Sequence, residues 1–331
     1  MEIGKLPNEI LEKIVFNNIS HKRKEVLLGA SIGEDNAIVD FGEEVCVMST
    51  DPITGATKDI GRLALYISCN DVASSGAEPI GVLLTILAPP TIEKKDIELI
   101  MKEAGEASKE LNVEIMGGHT EITDAVTRTV ITTTVIGKQK KKDMINSKNA
   151  KVGNKVLMTK YAGIEGTSII AKELEDYLKD KIGKEKLIEA QDMGNMISVV
   201  KEGIICGRIG VNYMHDITEG GILGAVWEGA MAMGKGIKVY ESLIPMKEVT
   251  KEIASILNID PYRLISSGSM LIVAEEDRIQ TIERELEKEG IKVTVIGEVI
   301  EKGILLERDG KLEEIGPPGS DELYRALSIL T

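Results

Sequence analysis

Aromatic residues are scarce in this chain. Two Phe and one Trp among 331 residues leave a core that must be built from aliphatic side chains. Cysteine is scarce too: Cys46, Cys69 and Cys206 are scattered and none belongs to a C-x-x-C pair, so a disulfide framework is excluded and each thiol reads as a small packing residue. Basic charge is short, with 40 Lys and Arg against 54 Asp and Glu and a formal net charge of −14. A surface of that sign repels phosphate backbones, which disfavours nucleic acid as a partner. Long apolar runs are missing as well. The stretch 80–90 stops well short of the roughly 20 residues a membrane helix needs. No basic-then-apolar leader opens the sequence, so the expectation is a cytoplasmic protein with no membrane partner. Hydrophobic content of 43% with 28% charged residues is that of a soluble globular chain, and the length suggests about two domains.

Ile10, Leu11, Ile14 and Val15 behind Pro7 have helical spacing and predict a first amphipathic helix over 8–19. Short β-rich runs follow at 37–39 and 45–48, then a helix whose apolar positions Ile60, Leu63, Ala64, Ile67 and Val72 repeat by three and four. A strand over 80–87, a helix over 96–111, a strand over 113–116 and a Thr-rich strand over 128–137 complete the first half. The polar stretch 139–153 has no apolar period and reads as a linker. The second half predicts a strand at 156–159, helices over 168–179, 184–205 and 220–233, a strand at 237–240, a further helix, then strand 270–274, helix 278–289 and strand 292–299. Both halves mix paired strands with helices and do not alternate strictly. Two α+β domains, 1–150 and 151–331, are therefore expected, not a doubly wound parallel sheet.

No G-x-x-x-x-G-K-[ST] occurs, and the only G-x-G, at Gly234 and Gly236, is followed by Val239 where a dinucleotide fingerprint needs glycine. Acids beside glycine or small residues recur instead, where strands and helices should begin or end. The segments are Gly33-Glu34-Asp35-Asn36-Ala37, Ser49-Thr50-Asp51-Pro52, Asn70-Asp71-Val72-Ala73-Ser74-Ser75-Gly76-Ala77, Gly117-Gly118-His119-Thr120-Glu121 and His215-Asp216-Ile217-Thr218-Glu219-Gly220-Gly221. Carboxylates that converge in a fold repel one another, and a divalent cation resolves the repulsion. Mg²⁺ suits acids spread over several loops, because it prefers one or two carboxylates plus water and phosphate oxygens. Gly117-Gly118 would let backbone N–H groups approach a phosphate, and Gly220-Gly221 would offer the same at a helix N-terminus. The plainer reading stands beside this one: a lone Asp at a turn is usually a cap, and His119 or His215 alone is more often structural than catalytic. Asn70-Asp71 falls inside an apolar helical period, where neither residue has a capping role.

Taken in order, these segments resemble the AIR synthase superfamily, which includes aminoimidazole ribonucleotide synthetase, thiamine-monophosphate kinase, selenophosphate synthetase and the hydrogenase maturation HypE proteins. The string Gly61-Arg62-Leu63-Ala64 leading to Asn70 through Pro79, then Gly117 through Glu121 and Met214 through Gly221, is most similar to the HypE branch. The resemblance implies an ATP-dependent enzyme with Mg²⁺, whose N-terminal domains pair in a homodimer and whose nucleotide lies near the dimer and domain interfaces. Matched to the family's motifs, Asp35, Asp51 and Asp71 fall where Mg²⁺ and phosphate are held, Glu121 adds a further ligand, and Asp216 supplies a carboxylate from the second domain. Asn70, Gly117, Gly118, Thr120, Gly220 and Gly221 fall among the cofactor-binding positions. His119 and His215 are the acid/base candidates near neutral pH. The strands over 80–87 and 128–137 are expected to build a sheet shared across a two-fold axis.

In this family ATP activates an amide-type oxygen so that it can leave. HypE acts on its own C-terminal cysteine, carbamoylated by a partner protein and then dehydrated to the thiocyanate that becomes the cyanide ligand of [NiFe] hydrogenase. This sequence departs from that pattern in three places. It reads Ala326-Leu327-Ser328-Ile329-Leu330-Thr331 where HypE has a cysteine tail, Ala162-Gly163-Ile164-Glu165-Gly166-Thr167 where HypE has Gly-Asp-His-Gly, and Ser266-Ser267-Gly268 where HypE has Asn-Glu-Gly. The expectation is a HypE-like enzyme that keeps the ATP apparatus, acts on a carbonyl, amide or phosphate acceptor, and takes a hydrogenase maturation partner if one supplies the thiol. A thiamine-phosphate or purine type kinase or synthetase, and a nucleotide-binding dimer without turnover, are the alternatives.

Overall fold

The computed structural model describes residues 6, 10–30, 36–53 and 59–328. Asp35 lies outside the described residues. Strands β1 (Val26–Leu28), β2 (Ala37–Asp40), β3 (Glu44–Ile53), β4 (Glu78–Ala88), β5 (Glu114–Ile122) and β6 (Val130–Lys140) form a six-stranded sheet in the order β1-β2-β3-β6-β4-β5. Its neighbours are antiparallel except β4 and β5, which are parallel and joined through helix α2 (Lys94–Leu111). Along β3 the residues alternate, with Val45, Val47, Ser49 and Ile53 buried and Thr50 and Pro52 exposed. Helix α1 (Ile60–Ser74) packs on the buried face of β3 and β6, and on its other side meets the second half of the chain through α6 (Val200–Ile209) and β8 (Tyr213–Asp216). Covered from both sides, α1 buries polar Asn70 and Asp71 together with Leu63, Ala64, Leu65, Cys69, Val72 and Ala73.

The second sheet has seven strands in the order β13-β12-β9-β11-β7-β10-β8. These are β7 (Lys155–Thr159), β8, β9 (Gly236–Tyr240), β10 (Met270–Ala274), β11 (Val293–Ile300), β12 (Ile304–Arg308) and β13 (Lys311–Glu314). Helices α3 (Ile164–Glu173), α4 (Glu175–Ile182), α5 (Lys184–Asp192), α7 (Gly221–Met233), α8 (Glu248–Leu257), α9 (Glu276–Glu287) and α10 (Glu322–Leu327) complete the described residues. One apolar core runs from the first sheet through α1 into α3, α4 and α8, with Leu65, Ile86, Ile131, Ile170, Leu174 and Leu178 at its centre. Two further cores cover the second sheet.

The α+β class is as expected, and three local expectations change. In place of a helix over 8–19, the described part has a single π-helical turn (Leu11–Val15) and a 3-10 turn (Phe16–Asn18). Ile14 and Val15 stay exposed, so the apolar spacing there has no core to face. The strand expected at 113–116 continues to Ile122 and carries the Gly117–Glu121 motif in its interior. The long helices expected at 168–179 and 184–205 are broken, the second by a 3-10 turn (Met193–Met196).

Candidate functional site

Asp71 is the best-anchored of the sequence candidates. Its carboxylate is buried and accepts a hydrogen bond from Ser49 Oγ at 2.7 Å. Its backbone carbonyl accepts from Asn36 Nδ2 and from Ser74 Oγ, each at 2.6 Å. Asn36 is the sequence neighbour of Asp35. Asp51 lies two residues beyond Ser49 on the same face of β3, about 7 Å along the strand, and is half-buried. The two carboxylates therefore approach the same side of the sheet from a helix and a strand.

Asn70, the neighbour of Asp71, does other work. Its Nδ2 donates to the carbonyl of Ile197 at 2.8 Å and its Oδ1 accepts from the backbone N–H of Val199 at 2.8 Å. The same segment is held from the second half by Lys160, whose Nζ donates to Met196 O at 3.2 Å and Ser198 O at 2.5 Å while pairing with Glu202 at 2.6 Å. Asn70 thus binds the two halves together, with both ends of its amide engaged.

His215 and Asp216 end β8, the strand of the second sheet that runs against α1. Both are buried, and His215 Nε2 lies 2.9 Å from Glu228 Oε2 in a shielded pair. Gly220 and Gly221 open α7 as the motif implied. Gly220 N–H donates to Asp321 Oδ2 at 2.7 Å, and Gly221 N–H to Thr218 O at 3.1 Å. A Cβ on Gly221 would lie 2.5 Å from the Tyr262 carbonyl, so glycine here admits a crossing chain.

Gly117, Gly118, His119, Thr120 and Glu121 lie exposed along β5, at the edge of the first sheet. A Cβ on Gly118 would sit 1.8 Å from the Leu84 carbonyl, so this glycine is demanded by the close approach of β4. Register separates the candidates. Asp51 shares a row with Thr133, Leu84 and Gly118, whereas His119 stands opposite Thr85 and Glu121 opposite Leu87. Because strand side chains alternate, His119 and Glu121 project from the face away from Asp51 and Asp71, and they face each other at 3.2 Å. Among the described residues no three His, Cys, Asp or Glu side chains group to hold a metal ion. Asp51 and Asp71 suit Mg²⁺ carried by phosphate oxygens and water, not an all-protein cage.

Sequence reasoning missed the cleft between the halves. A cavity of about 380 Å³ opens where the start of α1 faces α3, α5 and the turn after α5, lined among others by Arg62, Leu63, Tyr66, Glu165, Ile169 and Asn195. A second cavity of about 650 Å³ shares Asp59, Lys172 and Gln191 with it. Lys172 pairs with Asp59, and Arg62 Nη1 donates to Asn195 Oδ1 at 3.1 Å. Glu165 is 3% exposed, and its Oε2 is shut off from solvent. Burial pushes its carboxyl up to about 7. The Ser267 hydroxyl and backbone oppose that rise, and nearby Asp321 and Glu219 add to it. A signal existed in the sequence: Glu165 is the only charge in the run Ala162 through Ile170.

The two sheets correspond to the two domains of one enzyme family. The chain belongs to the AIR synthase related proteins: the family's N-terminal domain matches residues 33–139 and its C-terminal domain residues 151–306. Its named relatives there include HypE homologues. A putative hydrogenase expression/formation protein of Methanocaldococcus jannaschii is 29% identical over 291 residues, covering 85% of this chain and 83% of that protein. HypE in a HypE–HypF complex superposes with a TM-score of 0.78 at 23% identity, over 93% of this chain and 99% of that one. HypE in complex with ATP superposes with a TM-score of 0.74 at 20% identity, over 98% and 97%.

Proposed function

We propose that this chain is an ATP- and Mg²⁺-dependent, HypE-like enzyme that phosphorylates a carbonyl or amide-type oxygen and so turns it into a leaving group. The observation that carries the reading is the buried Asp71 carboxylate, fixed by Ser49 on the face of β3 that also bears Asp51, at the junction of the two halves. ATP with Mg²⁺ would supply the phosphoryl group and neutralise charge in transfer. Asp51 and Asp71 would hold the metal, with Asp35, the residue before Asn36, as a third ligand and Asp216 as a carboxylate from the second sheet. Ser49 and Asn36 position Asp71, and Asn70 fixes the second half against it.

HypE is solved with ATP and with HypF, which supports a nucleotide site here and a role in hydrogenase maturation with a partner of that kind. A homodimer formed through the first sheet belongs to the same reading. Ile80, Leu83 and Met116 stand on β4 and β5 as large exposed apolar side chains that a second copy would cover. Calorimetric titration of the whole chain with ATP in Mg²⁺ and in EDTA tests the proposal. Binding that depends on the metal is expected, because an ATP of charge near −4 cannot sit beside Asp51 and Asp71 otherwise. Equal affinity in EDTA would overturn it.

A further inference from the structure

We propose that Lys160 is a positioning residue of the candidate site: from one point its ammonium group fixes both the segment gripped by Asn70 and the loop that leads to the partner strand of Asp216, and so sets Asp71 and Asp216 relative to each other. This deepens the proposed function by naming what spaces those carboxylates, and rests on that reading for their role toward a metal.

Lys160 follows directly on β7 with a φ of 53°, a conformation that a residue with a side chain keeps only where its surroundings hold it. Its backbone N–H donates to the Lys292 carbonyl at 2.8 Å. The side chain is 14% exposed, and Nζ donates to the carbonyls of Met196 at 3.2 Å, Ser198 at 2.5 Å and Gly268 at 2.9 Å. It also pairs at 2.6 Å with Glu202, which is 1% exposed. An ammonium group has three N–H donors. With four oxygens around it, no donor is left for a phosphate, so Lys160 holds the protein and does not touch a nucleotide.

The three carbonyls lead to the two acids. Met196 and Ser198 flank Ile197, whose carbonyl accepts from Asn70 Nδ2, and Val199 follows with its N–H on Asn70 Oδ1. Lys160 therefore holds the residues on either side of those that Asn70 grips, and Asp71 is the next residue along α1. On the other path, Gly268 stands two residues before Met270, which is paired with Asp216 where β10 meets β8. Ser269, between them, accepts from the N–H of Ile217 at 2.9 Å. The two segments also meet backbone to backbone: a Cβ on Gly268 would lie 2.5 Å from the Met196 carbonyl. Their carbonyl oxygens and the Glu202 carboxylate converge on one cation. Without donors arranged as the ammonium arranges them, these oxygens repel and the segments part.

Two variants of the full chain separate positioning from a plain ion pair. Lys160→Arg keeps the charge opposite Glu202, but a planar guanidinium cannot serve three carbonyls set around a tetrahedral ammonium. Glu202→Gln removes the acid and leaves the ammonium on its carbonyls. Hydrogen exchange without nucleotide is expected to show the Val199 amide exchanging at least tenfold faster in Lys160→Arg, with the amides of β9 unchanged. Calorimetry with ATP in Mg²⁺ is expected to show affinity at least tenfold lower in that variant and within about twofold of the natural chain in Glu202→Gln. Natural affinity and Val199 protection in Lys160→Arg, equal acceleration at β9 and Val199, or an equal loss of affinity in Glu202→Gln would overturn the proposal. Where Lys160→Arg does not fold, Lys160→Met/Glu202→Leu, which removes the buried pair as a unit, is read by the same outcomes. Exchange is measured without ATP, so a natural chain that fails to bind ATP counts against the proposed function alone and leaves the Val199 result to decide this one.

Discussion

Asn70 Oδ1 and the backbone nitrogen of Val199 lie 2.8 Å apart across the junction of the two halves, inside the protein. With the Ile197 carbonyl on the other end of the amide, one side chain of α1 satisfies two backbone groups of the segment that leads into α6. Asp71 follows Asn70 directly, so the bond that joins the halves also sets the position of the carboxylate we propose as a metal ligand.

Asn70→Ala should therefore destabilise the chain strongly. It leaves the Val199 N–H and the Ile197 carbonyl buried and unpaired, at about 1–3 kcal/mol each. Urea unfolding followed by Trp227 fluorescence reads the loss, and a variant within about 0.5 kcal/mol of the natural chain would contradict the clasp.

Asp71→Asn separates a structural carboxylate from a metal ligand. The amide oxygen can still accept from Ser49 Oγ, which preserves the fold, whereas the negative charge is gone. ATP affinity in Mg²⁺ is expected to fall tenfold or more, about 1.4 kcal/mol, with little change in unfolding midpoint. Lost stability with retained affinity would instead make Asp71 a scaffold residue.

How much of this was legible in the sequence depends on the period of each element. The helical spacing of Ile60, Leu63, Ala64, Ile67 and Val72 announced α1, and its polar pair Asn70-Asp71 stood out because nothing in an apolar helix calls for it. Strand motifs were harder. Gly117-Gly118 read as the end of a strand because glycine usually punctuates strands, yet Gly118 lies in mid-strand under the Leu84 carbonyl. That His119 and Glu121 leave the sheet on the opposite side from Asp51 follows from register, which no single strand sequence contains. The role of Asn70 and the cleft around Glu165 depend on contacts more than a hundred residues apart in some cases, as between Asn70 and Ile197, and so were invisible to local pattern.

Stability should fall as pH rises from about 5 to 8. Burial raises Glu165 to about 7 and Asp321 to about 6, the latter against hydrogen bonds from the N–H groups of Leu323, Gly220 and Ile265. Both folded values exceed the ordinary carboxyl values, so the folded state holds these protons more tightly than the unfolded chain. The stabilisation is complete below the unfolded values and is lost as pH climbs through the folded ones. Unfolding midpoints across pH 4–8 measure it, and a profile that is flat or rises over pH 5–8 would contradict both environments.

The cysteines give the last test, because self-modification of the HypE kind needs a thiolate that can reach the ATP site. The reacting atoms must come within about 3.5 Å, which demands a mobile or exposed sulfur. Cys69 lies inside α1 and Cys206 inside α6; both are fully buried, and burial pushes each thiol up to about 12, with Asp71 beside Cys69 and Glu202 beside Cys206 adding to the rise. Cys46, on β3, is half-buried and is raised by the same cause. A thiol held near 12 is almost wholly protonated at pH 8 and is a poor nucleophile. Ellman's reagent at pH 8 should therefore leave Cys69 and Cys206 untouched in the folded chain and titrate all three thiols after unfolding. Single Ala variants of the three that fold should keep whatever ATP-dependent turnover the natural chain shows. Mass spectrometry after incubation with ATP and a carbamoyl-donor system should find no adduct on them, and a carbamoyl or cyano increment mapped to Cys206 would restore the self-modifying route.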